Sequence, residues 1–304
     1  MFKRLLANES VLPKLFIVIA AILWAFDGVI RRSLFDLPPI TIVFFEHLVG
    51  TLILLPFVFR ASRTEMIKPK ELGLLSVVAL VSGVLGTLWF TAALMNVNFI
   101  PFSVVYLILY LEPIFATTSA RILLKEKISP RFIKWGAVAL VAAFFATFKY
   151  GGVNLATGSG TVIAALYALG ATAAWGTSTT LSRMTLLKRS DTLVSGWRFL
   201  LTTIFALIGV FVLGQQATLT QPTATHFGYL ILIALTSGMA ALVLYYKGLK
   251  KTEAKITTML ELVFPLLAIF FDAVLYKTVL HPSQYLAALV MIFAVYKIAE
   301  RGNK

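Results

Sequence analysis

The sequence has 304 residues, of which 59% are hydrophobic and only 13% are charged, and its mean hydropathy is +0.90. Soluble domains are about 45–50% apolar and about 25% charged, so this composition excludes an ordinary soluble protein and indicates an integral membrane protein. The absence of Cys excludes disulfides, thiolate catalysis and cysteine metal sites. We therefore expect the net charge of +14 to lie in loops that orient membrane spans, and not to bind nucleic acid.

Hydrophobic runs between charged or Pro/Gly/Asn-rich breaks predict ten transmembrane helices, because a hydrocarbon core about 30 Å thick takes about 20 helical residues. In chain order the predicted spans are 15–33, 39–59, 71–93, 101–124, 132–148, 159–182, 192–213, 227–246, 256–276 and 284–298. The runs lack the alternation of barrel strands and are too long for them. The predicted fold class is an all-α integral membrane protein.

The basic residues predict the orientation of these spans. If the N-terminus is cytoplasmic, most of the 27 Lys and Arg residues fall in cytoplasmic segments. The exceptions are Arg31, Arg32, Lys149 and Lys277 on the outer side and Arg121 and Arg198 within spans. This asymmetry follows the positive-inside rule. We expect a multi-pass protein of the cell (inner) membrane with both termini in the cytoplasm.

The two halves of the chain resemble each other at an offset of about 151–152 residues. The offset aligns Trp24 with Trp175, Glu46 with Arg198, and Pro113 with Pro265. Each half holds five predicted spans, so the second half enters the membrane in the opposite sense. Residues 1–150 and 151–304 are therefore predicted to form an inverted repeat, which is typical of secondary transporters.

The sequence resembles the ten-helix EamA-type family of the drug/metabolite transporter superfamily over essentially its whole length. The resemblance rests on the duplicated halves, the Trp24-Ala25 and Trp175-Gly176 turns, the prolines of the fourth helices, and LLKEKIS (123–129) with Glu126 at its acidic position. It implies a proton-linked or facilitative carrier of small metabolites, often an exporter of amino acids. The family often has an arginine where this chain has Glu46, which changes the expected charge of the cavity.

Acidic residues within the predicted spans are the main candidates for a site, because each costs at least about 2.5 kcal/mol at mid-span. With a rise of about 1.5 Å per residue, Asp27, Glu46 and Glu112 can share one level from the midplane outward. They form either a substrate or proton-coupling site or a set of protonated helix contacts. Arg198 and Glu261 lie nearer the inner edge and are expected to form a structural ion pair, or an alternative site.

Aromatic side chains and prolines complete the candidate set. Trp24, Tyr106 and Tyr110 are predicted at mid-depth, where an aromatic face beside carboxylates suits an ammonium group. Pro113 and Pro265 are predicted to kink their helices, because proline lacks the N–H that bonds the carbonyl four residues earlier.

We expect an alternating-access secondary transporter of small amine-bearing metabolites, such as amino acids or organic cations, acting as a monomer or homodimer without cofactor or metal. One alternative is a carrier of neutral or anionic metabolites with Arg198 at the site. A membrane receptor or intramembrane enzyme is the alternative of another class. An enzyme is not expected, because the sequence lacks a phosphate-binding loop, an HExxH motif and a nucleophile elbow.

Overall fold

A computed structural model describes residues 11–98, 104–152, 160–275 and 281–300 of the protein. These ranges form ten membrane-spanning helices, so the predicted all-α class is confirmed. The helices are α1 (α1a Leu12–Ala25, α1b Asp27–Arg31), α2 (Pro39–Ser62), α3 (Pro69–Asn96), α4 (α4a Val104–Leu109, α4b Glu112–Leu123), α5 (Pro130–Thr147), α6 (Thr161–Leu186), α7 (Asp191–Val212), α8 (α8a Ala224–Leu235, α8b Met239–Lys251), α9 (α9a Ala254–Glu261, α9b Val263–Leu275) and α10 (Pro282–Ala299). The predicted span residues 101–103, 159 and 276 lie outside the described ranges.

Seven of these helices are long and apolar enough by themselves to cross a membrane. The other three are α4 and α9, which are interrupted, and α6, which is rich in Thr and Ser. Large apolar side chains such as Leu52, Val212 and Leu286 are exposed on the helix surfaces, where lipid covers them. The chain is therefore a multi-pass membrane protein, as its composition predicts.

The helix pairs reveal how the two halves are related. Helix α2 packs on α7 and α5 packs on α10, so each of these pairs joins equivalent helices. The contact of α1 with α8 is matched by that of α6 with α3, and the contact of α4 with α6 by that of α9 with α1. Exchanging the halves maps the α2–α7 and α5–α10 pairs onto themselves and exchanges the two members of each of the other matches. An inverted repeat with a pseudo-two-fold axis requires this pattern.

Small residues allow close contacts between the halves. A Cβ at Gly176 of α6 would lie 2.7 Å from the backbone oxygen of Glu112 on α4b. A Cβ at Gly86 of α3 would lie 2.6 Å from the Nε1 atom of Trp175 on α6. Close backbone approach of this kind is the usual way in which transmembrane helices associate.

Four helices are broken near their middle. The breaks fall at Phe26 in α1, Tyr110–Leu111 in α4, Thr236–Gly238 in α8 and Leu262 in α9. In α3, residues Ala79–Gly86 form a π-helical segment. Irregular backbone is tolerated at membrane depth only where protein buries it or where it lines a cavity.

Two of the breaks stand at the same place relative to a proline. Helix α4a ends at Leu109, four residues before Pro113, and α9a ends at Glu261, four residues before Pro265. Proline cannot donate to that fourth preceding carbonyl and its ring clashes with it. The side chain of Pro265 lies outside what the structure describes, so only its backbone position is known.

Candidate functional site

The helix breaks surround a central cavity between the two halves. Residues next to all four breaks line it, namely Trp24 and Asp27, Leu109 and Glu112, Ser237 and Gly238, and Glu261 and Leu262. The space that the centres of water molecules can occupy in it is about 160 Å³. Discontinuous helices that meet at the interface of inverted repeats are the usual setting of a transporter's substrate site.

Three charged side chains form a buried cluster in one wall of the cavity. Arg31 is 3% exposed and donates to both oxygens of Asp27, from Nε to Oδ2 at 2.6 Å and from Nη2 to Oδ1 at 3.0 Å. The same Nη2 donates to Glu46 Oε2 at 3.0 Å. Ser237 of α8 donates to Asp27 Oδ1 at 2.8 Å. Asp27 and Glu46 thus share one guanidinium, which compensates much of their charge.

Glu112 and Glu261 occupy a different environment. Both side chains line the cavity, and the helices that carry them, α4b and α9a, pack against each other. Glu261 Oε1 accepts a hydrogen bond of 2.7 Å from the hydroxyl of Tyr245, which also contacts Thr179 Oγ1 at 2.8 Å. Among the described residues, neither carboxylate forms an ion pair with a basic side chain.

Arg198 does not form the ion pair with Glu261 that the sequence analysis expected. Its Nη1 donates to the hydroxyl of Tyr246 at 2.7 Å and its Nη2 to Ser82 Oγ at 2.8 Å. Its guanidinium carbon lies 5.5 Å from the centre of the Tyr246 ring. The physical reason is that neutral oxygens of α3 and α8 satisfy Arg198 while Tyr245 satisfies Glu261. Arg198 therefore offers the cavity a cation that no described carboxylate neutralises.

Aromatic rings form much of the remaining wall. Trp24 and Tyr245 have ring centres 5.1 Å apart, and Phe90 and Trp175 form a second pair, also 5.1 Å apart. Phe199 and Phe264 line the cavity as well. The hydroxyl side chains among these rings are Ser82, Thr87, Ser178, Thr179, Ser182, Ser237 and Thr258.

The two tyrosines that the sequence favoured do not line this cavity. Tyr106 is buried among Ala25, Phe90 and neighbouring apolar residues, and its hydroxyl lies beside Gly28. Tyr110 contacts the hydroxyl of Thr147 on α5. At the α4 break its ring turns towards α5, so these two tyrosines do not provide the aromatic face beside carboxylates that the sequence predicts.

One end of the helix bundle is closed by polar contacts between the halves. Glu126 follows α4b, and its carboxylate accepts from Arg183 Nη1 at 3.1 Å and from the N–H groups of Ala254 and Lys255 at 2.8 and 3.2 Å. It thereby caps the start of α9a. Nearby, Glu71 pairs with Arg189 at 2.7 Å. These contacts join the first half to the second at the end where α1 begins.

Sequence reasoning missed three residues of this site. Arg31 was assigned to an outer loop, although its i+4 spacing from Asp27 is a signal that could have paired them. Tyr245 and Ser237 carry no such signal, because their roles arise from contacts across the two halves. His47 donates from Nδ1 to the Val43 carbonyl oxygen and packs against Phe199.

Comparison with known proteins gives consistent matches. The model of the EamA-like transporter family matches residues 12–148 and again residues 162–299. The riboflavin transporter ImpX of Fusobacterium nucleatum subsp. nucleatum (strain ATCC 23726 / VPI 4351) is 34% identical over 290 residues, covering 94% of this chain and 97% of the relative. A solved crystal structure with 15% sequence identity superposes with a TM-score of 0.73, covering 96% of this chain and 99% of the other, and supports the fold alone.

Proposed function

Since the chain belongs to the EamA-like transporter family and is thus a secondary transporter and not an enzyme, we propose that its substrate is riboflavin or a similar planar heterocycle with a hydroxylated chain. The observation that carries this proposal is the cavity wall, which is lined by both aromatic rings and hydroxyl groups. The riboflavin transporter that resembles this chain supports the same substrate class.

The chemistry of riboflavin matches the two kinds of lining group. Its three-ring system is flat and apolar on both faces, and aromatic side chains such as Trp24 and Trp175 bind such faces by offset or edge contacts. Its ribityl chain carries hydroxyls that hydrogen bond to Ser and Thr side chains. Its ring carbonyls accept from a guanidinium, and Arg198 has N–H groups beyond the two that Tyr246 and Ser82 engage.

The charge distribution also favours a neutral substrate at the wall formed by Asp27 and Glu46. Both carboxylates bind Arg31, so an amine entering there would have to displace a buried guanidinium. This supports the alternative in which a neutral or anionic metabolite meets Arg198. In alternating access, the cavity between the halves would open to one side of the membrane and then to the other. The Glu126 contacts would separate when the end of the bundle that they close opens.

An amine-bearing substrate is the second candidate, and one observation favours it. Glu112 and Glu261 line the cavity without a basic partner among the described residues, and the rings of Trp24 and Tyr245 lie beside them. Carboxylates next to aromatic faces attract ammonium groups. Binding of amino acids and organic cations should therefore be measured beside binding of riboflavin.

The orientation in the cell (inner) membrane is also a proposal, with the Glu126 end in the cytoplasm because the basic residues concentrate there. The chain has no Cys, so single cysteines report their side directly. A membrane-impermeant maleimide should label Gln221→Cys in intact cells and Lys188→Cys only after permeabilisation. The reverse pattern would invert the topology.

Binding to the purified protein tests the substrate. Riboflavin, lumichrome (the ring system without the ribityl chain), ribitol, lysine and choline are compared by thermal stabilisation, and flavin binding also by fluorescence quenching. We expect riboflavin to bind best, lumichrome less well and ribitol not at all. Trp24→Ala should weaken riboflavin binding about tenfold, because ring contacts worth about 1.4 kcal/mol are lost.

The matched control is Trp135→Phe, because Trp135 packs against Phe293 on the outside of the bundle, away from the cavity lining. Its affinity for riboflavin should equal that of the wild type. Stabilisation by lysine or choline without any by riboflavin would overturn the proposal in favour of the amine carrier.

A further inference from the structure

The pairing of charges leaves Glu112 and Glu261 as the uncompensated acids of the cavity. The other titratable groups that line it are Asp27, Arg31, Glu46, His47, Arg198 and Tyr245. Three of these bind one another, His47 contacts a backbone oxygen, Arg198 binds neutral oxygens and Tyr245 donates to Glu261. None of them supplies Glu112 or Glu261 with a positive charge.

The elements that pack on α4b supply none either. Helix α6 carries Arg183, which binds Glu126 and backbone oxygens at the end of the bundle. Helix α9a carries Lys255, which binds the Lys127 carbonyl at 2.7 Å and Glu253 at 2.9 Å. Two carboxylates that line one cavity without a cation cannot both stay ionised at a low free-energy cost inside a membrane, and binding one proton removes the conflict.

We infer that Glu112 and Glu261 form a proton-binding site that couples transport to proton movement. A proton adds to a carboxylate oxygen of one of the two residues, and it returns to water that enters the cavity. Only O–H bonds form and break. Tyr245 contacts Thr179 and holds the Glu261 carboxylate in place by donating a hydrogen bond to it from its hydroxyl.

The placement of the two acids makes such a site sensitive to the transport motion. Glu112 is the first residue of α4b and Glu261 is the last residue of α9a, so each stands at a helix break. One belongs to the first half and the other to the second. When the halves move relative to each other, the separation of the two carboxylates changes, and with it the hold on the proton. Asp27 and Glu46 lack this property because both lie in the first half and share Arg31.

Infrared spectroscopy tests the site without any substrate. At neutral pH the purified wild type should show the carbonyl band of a protonated carboxylic acid, and the double variant Glu112→Gln with Glu261→Gln should lack that component. Asp36→Asn is the matched control, since Asp36 is an exposed carboxylate paired with His226, and it should leave the band intact. A band unchanged in the double variant, or in both single variants if the double variant does not fold, would overturn the inference.

Flux measurements test the coupling, and this arm rests on the proposed function. Liposomes that contain a pH-sensitive dye report the protons moved per riboflavin transported. We expect a fixed ratio for the wild type and for Asp36→Asn, and a ratio at least tenfold lower for Glu112→Gln or Glu261→Gln at whatever flux remains. A wild-type ratio of zero, or an unchanged ratio in the variants, would contradict coupling. If riboflavin does not move at all, the substrate proposal fails while the infrared result still decides the proton site.

Discussion

The cavity wall holds two pairs of acidic side chains that differ in how their charge is compensated. Asp27 and Glu46 lie in the same half and bind one buried arginine, which is 3% exposed. Glu112 and Glu261 come from opposite halves, and the Tyr245 hydroxyl donates a hydrogen bond to Glu261. The same residue types thus occupy two physical states a short distance apart in one cavity.

The difference separates a fixed role from an exchangeable one. A carboxylate bound to a buried guanidinium ties its helices together, because separating the charges would leave each unpaired in a medium of low dielectric. A carboxylate without a cation gains by binding a proton or a cationic ligand. We therefore expect the Arg31 cluster to control stability and the Glu112–Glu261 pair to control coupling.

The largest expected effect comes from removing the shared cation. Arg31→Ala leaves two buried carboxylates without their partner, so the free energy of unfolding should fall by about 3–5 kcal/mol, measured by titration with SDS in mixed micelles. Arg63→Ala is the control, because Arg63 is exposed at the end of α2, and its free energy should change by less than about 0.5 kcal/mol. Equal small effects in both variants would show that Arg31 does not hold the cluster.

Replacing one glutamate of each acid pair by glutamine sharpens the comparison. Glu46→Gln removes the charge that binds Arg31 and should cost about 1.5–3 kcal/mol of unfolding free energy. Glu112→Gln resembles a protonated carboxyl in shape and charge, so the same measurement should stay within about 0.5 kcal/mol of the wild type. The comparison breaks if Glu112→Gln proves the more destabilising of the two.

The smallest expected loss of stability comes from breaking the hydrogen bond that joins the Arg31 cluster to the second half of the chain. Ser237 donates to Asp27 across the cavity wall, and water that enters the cavity replaces the lost hydroxyl, so Ser237→Ala should cost about 0.5–1.5 kcal/mol of unfolding free energy. Thr236→Ala is a close control, because the side chain of the partly exposed Thr236 bonds to the Leu232 carbonyl of its own helix. Equal thermal unfolding temperatures for both variants would show that the hydrogen bond from Ser237 to Asp27 does not stabilise the protein.

The helices were predictable from the sequence because each apolar run has to satisfy its own backbone hydrogen bonds in lipid. The ten spans agree with the structure to within a few residues where both are described. The family and the class of transporter also followed, since the duplicated halves, the Trp turns and the prolines are local features of the sequence.

The side-chain partners were harder to predict, because depth along a helix does not define the direction in which a side chain points. Arg198 and Glu261 bind different hydroxyls, so their expected ion pair was wrong. Arg31 looked like a loop charge, but α1b extends to it and places it one turn from Asp27. Tyr106 packs among apolar residues and Tyr110 contacts Thr147, so neither side chain reaches the cavity.

The central claim is that this carrier binds and moves riboflavin through the cavity between its halves, and exchange across liposomes tests it most directly. Liposomes loaded with unlabelled riboflavin and containing the purified protein should take up labelled riboflavin until the two pools mix. The uptake should saturate, and Trp24→Ala should need about tenfold more riboflavin to reach half its maximal rate. Uptake no faster than in protein-free liposomes would contradict the claim.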